Sequence, residues 1–178
     1  MNQRGLSLIE LMITLAIVGI LLNLAMPSFR GLLGHNRQQT MANDLLVAIR
    51  AARTEAVLRQ QPVIIHPLEG SWSQGWRMIA DVSGKGLHDP SNPVLVVRQK
   101  GGNVKVLGNS RLAEWVRFSP MGVPSYAGAS PGNGSLYICD SVQGRLHARV
   151  VLAPSGRVRL DNSPGDTDLC ASTNSLHT

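Results

Sequence analysis

From Leu6 to Met26 the chain runs twenty-one residues interrupted only by Ser7, Glu10, Thr14, Gly19 and Asn23. About twenty apolar residues carry a helix across a hydrocarbon core, so this run reads as a membrane-spanning segment. The alternative is the apolar region of a secretory signal. Such regions are shorter, follow a longer basic leader and end at a small-residue cleavage site, whereas here Met26, Pro27, Ser28 and Phe29 follow. Glu10 is the anomaly, because a carboxylate held in a bilayer costs on the order of 3 kcal/mol and normally has a partner. Near the start of the helix it can reach the headgroups and meet the positive end of the helix dipole. The other reading is a cationic partner, and no Lys, Arg or His lies between Gly5 and Phe29 to serve as one. That partner has to come from elsewhere.

A five-residue leader with Arg4, then Gly5, Leu6, Ser7, Leu8, Ile9 and Glu10, an apolar helix and Pro27 resembles the N-terminal signature of type IV prepilins and type II secretion pseudopilins. The resemblance implies cleavage by a prepilin peptidase between Gly5 and Leu6 and methylation of the new N-terminus at Leu6. It also implies that Glu10 pairs with the N-terminal amine of a neighbouring subunit as a filament grows. Leu6 departs from the family's usual Phe. Arg4 ahead of the span keeps the leader cytoplasmic on the positive-inside rule, leaving the C-terminal bulk periplasmic and the chain single-pass in the inner membrane. Cys139 and Cys170 suit an oxidising compartment and permit one intramolecular bridge, closing thirty-two residues. Two unpaired buried thiols are the alternative. No cysteine or histidine spacing suggests a metal, and no cofactor is implied.

Beyond Pro27 the helical pattern becomes amphipathic. Met41, Leu45, Ala48, Ile49, Ala52, Ala56 and Val57 recur at steps of three and four, with Arg30, Arg37, Asp44, Arg50, Arg53, Glu55 and Arg59 mostly on other faces. The pattern predicts one helix over residues 6–60, with residues 6–26 in the membrane, after a leader at 1–5. Pro27 is expected to kink or locally melt it, helped by Gly31 and Gly34. Residues 61–178 read as a β-rich domain: PVIIH, WRMIADV, PVLVVRQ, NVKVL, EWVRF, SLYIC, RLHARVVL and RVRL are short, rich in β-branched residues and separated by turn-forming clusters. The expected fold is α+β and pilin-like, a long N-terminal helix packed on antiparallel β-sheet. Ser, Pro and Gly fill ten of the sixteen positions from Ser119 to Gly134, which predicts a long loop.

No active site emerges. Gly128, Ala129, Ser130, Pro131 and Gly132 match the letters of a nucleophile elbow, yet that motif needs a strand before it and a helix after it. Asp81 and Asp89 in DVSGKGLHDPSN lack the spacing of an EF-hand and suit a polar turn. The chain is not read as an enzyme.

Charge is more informative. Seventeen Lys and Arg against eleven Asp and Glu leave a net charge of +6, which favours polyanions without naming one. The stretch RLHARVVLAPSGRVRL, residues 145–160, reads as a hairpin. A two-residue loop at Pro154 and Ser155 would set Arg157 opposite Leu152 and mix charge with core. If Gly156 joins the loop in the left-handed conformation, Arg157 faces Ala153 and Arg159 faces Val151. Leu146, Ala148, Val150, Leu152, Val158 and Leu160 then share the core face, while Arg145, His147, Arg149, Arg157 and Arg159 line the other. No acidic residue stands among those outward positions, although Asp161, Asp166 and Asp168 follow. The face is either an anion-binding surface or an ordinary solvated one.

The long helix, β domain, C-terminal cysteine pair and terminal hairpin together resemble minor pilins of the FimT/GspH type. Gly156, Arg157, Val158 and Arg159 resemble the GRxR motif of FimT-like minor pilins, which implies DNA binding during natural transformation, with Arg145, Arg149 and His147 in support. Related pseudopilins carry similar hairpins without a DNA role. Two functions are therefore carried forward. One is non-specific DNA binding on a retractable filament. The other is a structural subunit that initiates or caps a pilus or type II secretion pseudopilus and meets other major and minor pilins.

Overall fold

The computed structural model describes residues 8–99, 104–127, 132–140, 145–163 and 170, with the side chains of 22–30 left aside. The chain divides into two compact units, Met1–Asn36 and Arg37–Thr178. Helix α1, Leu8–Arg59, supplies the described part of the first and opens the second.

In the first unit Leu8, Ile9, Leu11, Met12, Ile13, Leu15, Ile17 and Leu21 are all exposed. Among the described residues no helix is long and apolar enough to cross a membrane. Helical structure continues through Pro27, Gly31 and Gly34, so the expected local melting at Pro27 does not occur. A proline removes one donor from a helix whose other hydrogen bonds remain available.

In the second unit the 3.6-residue pattern does what amphipathicity dictates: Met41, Ala42, Leu45, Ala48, Ile49, Ala52 and Ala56 are buried. Val57, expected on the same face, is 40% exposed. The helix closes at Gln60, whose φ of 53° is left-handed. The Gln61 N–H donates to the Ala56 carbonyl and the Gln60 N–H to that of Val57, both at 3.3 Å, the pattern of a Schellman stop. Pro62 follows and prevents continuation.

Among the described residues nine strands follow: β1 (Val63–Leu68), β2 (Ser71–Ala80), β3 (Val94–Gln99), β4 (Lys105–Gly108), β5 (Val116–Phe118), β6 (Pro124–Tyr126), β7 (Gly134–Cys139), β8 (Leu146–Leu152) and β9 (Val158–Asp161). They form two antiparallel sheets, ordered β3-β2-β1-β5-β6 and β4-β7-β8-β9. Strand β6 lies inside the stretch expected to be a loop. Its Pro124 pairs with Phe118 and its Tyr126 with Val116 at a sheet edge, where a proline costs no ladder bond. Residues 128–131 of that stretch, which include most of the elbow-like letters, lie outside the described residues.

The core joins the buried face of α1 to Ile65, Trp72, Met78 and Phe118 of the first sheet and to Val106, Leu136, Ile138, Val150 and Leu152 of the second. Two polar side chains of β2 reach groups beyond their own sheet. The Trp72 indole donates to the Leu112 carbonyl at 2.6 Å, the Ser73 hydroxyl donates to the Val106 carbonyl, and the Val106 N–H donates back to Ser73 Oγ. The buried Asp81 carboxylate meets Arg117 Nη2 at 2.8 Å and accepts the Gly86 N–H. Asp89 accepts the Ser91 N–H and hydroxyl. Both acids of the DVSGKGLHDPSN turn thus have protein partners.

Burial pushes the His66 imidazole on β1 below its ordinary value; the Pro67 carbonyl opposes this, and Arg77 across the strand pair adds to the lowering. The unfolded chain then binds this proton at an ordinary histidine pKa of about 6.5, and the folded chain only at lower pH. Stability from this group is present above that value and is lost as pH falls through the folded pKa. Replacing His66 with Gln should flatten the decline in urea midpoint between neutral and mildly acidic pH. An unchanged decline would remove His66 as its source.

Candidate nucleic-acid interface

Strands β8 and β9 pair with Val151 opposite Arg159 and Leu152 opposite Val158. The Ala153 N–H donates to the Arg157 carbonyl and the Gly156 N–H to that of Ala153, both at 2.9 Å. Gly156 has φ +79°. This is the register in which the glycine joins the loop, and it leaves Ala148, Val150, Leu152 and Val158 buried with Arg157 and Arg159 exposed. Position 156 demands glycine for a second reason. A Cβ there would stand 2.4 Å from the Gly122 carbonyl oxygen and 2.8 Å from Arg53 Nε.

The outward row is less uniform than its sequence suggests. The pairing of Ile138 with Ala148 and of Cys139 with Leu146 leaves His147 as the extra residue of a bulge. A bulge interrupts two-residue alternation, so alternation no longer carries Arg145 and His147 onto the face of Arg149. Val151, which shares the outward parity of Arg149 and Arg159, is itself buried.

Charge is also compensated. Asp161 stands opposite Arg149, and its Oδ2 lies 2.6 Å from Arg149 Nη2 and 3.5 Å from Arg159 Nη1. The hydrogen bond from Arg149, followed by those from Ser163, holds the Asp161 carboxyl far below the usual carboxylate range. The same pairing raises Arg149. At neutral pH Asp161 is therefore ionised and spans two of the arginines. Arg157 has no side-chain partner among the described residues and stands as the uncompensated cation of the turn.

Two further cations join it that the sequence pattern set off the apolar face of the helix. Arg50 Nη2 donates to the Val158 carbonyl at 3.0 Å, and Arg53 Nε donates to the Gly122 carbonyl at 3.1 Å. Arg50, Arg53, Thr54, Gly156, Arg157 and Val158 line a recess of about 380 Å³. The available signal was their i, i+3 spacing, which puts both arginines on one side of α1.

The other expected sites are placed as follows. Glu10 lies exposed in the first turn of α1. Pro27 lies within α1, and Gly5 and Leu6 lie outside the described residues. Cys139 and Cys170 are joined by a disulfide with Cα atoms 5.7 Å apart. Lys105 Nζ on β4 donates to the Cys170 carbonyl at 3.1 Å.

Residues 1–22 match the prokaryotic N-terminal methylation motif, and residues 41–156 match the family described as type II transport protein GspH. Pilin-like protein PilA1 of Thermus thermophilus is 31% identical over 173 residues, covering 90% of this chain and all of that protein. The crystal structure of the type IV minor pilin FimU of Pseudomonas aeruginosa shares the fold. It has a TM-score of 0.57 at 20% identity over 74% of this chain and 95% of that one, and a second crystal form gives 0.56. Pilins and pseudopilins are structural proteins that contact one another in filaments, and the methylation motif marks a membrane-anchored pilus component. A long helix buried against antiparallel sheets, a bridged C-terminus and a GspH-matching body accordingly place this chain in the GspH family, as a minor pilin or pseudopilin of the GspH/FimT type.

Proposed function

We propose that this minor pilin binds DNA without sequence preference through its β8–β9 hairpin during DNA uptake. The observation that carries the reading is Arg157: exposed, without a side-chain partner among the described residues, and set beside Arg159 by a turn whose left-handed position, 156, is glycine. Guanidinium contacts to phosphates position a duplex without reading its bases. Aromatic residues make up only 4% of the chain and none falls between 145 and 160, so stacking on a platform plays no part. In this reading prepilin peptidase cuts after Gly5, Leu6 becomes the methylated N-terminus, and Glu10 meets the terminal amine of the next subunit. The helix is held in the inner membrane with the leader cytoplasmic, and the β domain is periplasmic until assembly.

The test is a titration of duplex DNA against the full chain in detergent micelles at several salt concentrations. Two lost phosphate contacts lower the salt slope by about 1.8, which at 0.1 M salt is roughly 60-fold in affinity. Arg157→Gln with Arg159→Gln should show that loss. Asp161→Asn removes the carboxylate that occupies Arg149 and Arg159, and should tighten binding roughly ten-fold with a steeper slope. Wild type that does not bind, or variants that bind as wild type does, would sink the reading. The compensation by Asp161 is what favours the second function, a structural pilus or pseudopilus subunit whose basic face meets another pilin. Failed filament assembly in Arg157→Gln, with no DNA affinity in wild type, is its expected signature.

A further inference from the structure

We propose that the recess between α1 and the β8–β9 turn is a second phosphate site, taking the DNA phosphodiester next to the one contacted by Arg157 and Arg159. It rests on the DNA reading above and adds residues that the GRVR segment does not contain. Three guanidiniums, from Arg50, Arg53 and Arg157, line one recess of about 380 Å³ that has no carboxylate in its lining. The neighbouring acids of α1 are engaged elsewhere: Glu55 with Arg59 at 2.6 Å and Asp44 with Arg98 at 2.7 Å. Like charges gathered without a counter-ion raise the local potential and favour an anion.

The guanidiniums are also held in place. Arg50 gives one N–H to the Val158 carbonyl and Arg53 gives one to the Gly122 carbonyl. A guanidinium has five N–H donors, and each of these two carbonyl contacts uses one of them. Anchoring each side chain through one donor lowers the ordering entropy that a flexible arginine loses on binding, and leaves forked donors for oxygen atoms. A phosphodiester, with two non-bridging oxygens, matches forked donors from more than one side. Thr54 adds a hydroxyl at the rim.

The partner is argued from continuity. Arg157 lines this recess and also a second one of about 280 Å³, which it shares with Asn133, Val151, Ala153 and Arg159. One cation common to two recesses suits a ligand with repeating negative charges better than a single carboxylate. An acidic side chain from a neighbouring pilin is the competing occupant.

The experiment extends the duplex titration to four variants of the full chain in micelles. Arg50→Gln with Arg53→Gln removes both cations but also both carbonyl contacts. Thr54→Glu leaves those contacts intact and sets a carboxylate at the exposed rim. Val94→Glu, exposed on β3 in the other sheet, carries the same charge change as a control. Arg157→Gln with Arg159→Gln reports on the hairpin alone. The double helix variant should lower the salt slope by about 2 and the affinity by roughly 10- to 100-fold. Thr54→Glu should weaken binding roughly ten-fold, and Val94→Glu less than two-fold.

If Thr54→Glu matches Val94→Glu while the hairpin variant loses binding, this site is overturned and the hairpin reading stands. Lower affinity in the helix variant with an unchanged slope means a structural role for Arg50 and Arg53 and also overturns it. Loss of filament assembly with unaltered DNA affinity assigns the recess to an acidic group of another pilin. Wild type without DNA affinity removes both readings together.

Discussion

Replacing Gly156 with alanine should destabilise the Arg37–Thr178 unit by about 3 kcal/mol and weaken DNA binding in the same variant. Two costs add. A left-handed backbone costs an L-residue about 1 to 2 kcal/mol, and φ at 156 is +79°. The new methyl would then meet the Gly122 carbonyl oxygen at 2.4 Å and Arg53 Nε at 2.8 Å. The first of these is backbone, and forced repacking of that kind costs about 1 to 3 kcal/mol. Gly122 is itself left-handed, with φ +75°, in the turn between β5 and β6, where its N–H donates to the Ser119 carbonyl. The Gly122 carbonyl that the methyl would strike is the one Arg53 holds. A turn from each sheet and one side chain of the helix therefore meet at a single point.

A companion substitution separates the two costs. Gly156→Asn tolerates the left-handed conformation better than alanine and should recover no more than about 1 kcal/mol, because its Cβ meets the same oxygen. Chemical denaturation of the full chain in micelles measures both variants. Alanine at 156 with wild-type stability would mean that the two turns do not touch as described.

Opening the Cys139–Cys170 bridge should cost about 3 to 4 kcal/mol, from the loop-closure entropy returned to the unfolded chain. The bridge closes thirty-two residues that contain the whole β8–β9 hairpin. Cys139 ends β7, the strand that pairs with β8, and both cysteines are buried. Cys170 is further tied to β4 through Lys105, so the bridge links the segment after β9 to the two strands on the far side of β8. The double substitution to serine should lower the urea midpoint by the amount that reduction lowers it in wild type. Midpoints that do not move under reductant would show the bridge to be open in the protein as isolated. DNA affinity measured well below the midpoint should change far less than stability, since no residue lining either recess belongs to the bridge.

Local rules in the sequence determined a good deal. Apolar steps of three and four placed the buried face of α1, because one helical period decides which side chains face a core. Clusters of β-branched residues between turn formers marked eight of the nine strands. The hairpin register followed from one glycine, because a slip of one residue would have set Arg157 and Arg159 against the core residues of β8. Strand β6 was missed because three residues led by a proline carry no periodicity. Val57 was misplaced because the buried stripe narrows where the helix ends.

Tertiary structure decided which charges are available. Asp161 stands two residues after Arg159, yet only the antiparallel pairing with Arg149 brings its carboxylate between two guanidiniums, and a bulge at His147 breaks the row that alternation had drawn. Arg50 and Arg53 lie more than a hundred residues before Arg157 and reach its turn only because the helix packs against both sheets. Electrostatic potential depends on distances in space. The local composition of a strand fixes how many cations it carries, and packing from the rest of the chain decides which of them remain uncompensated.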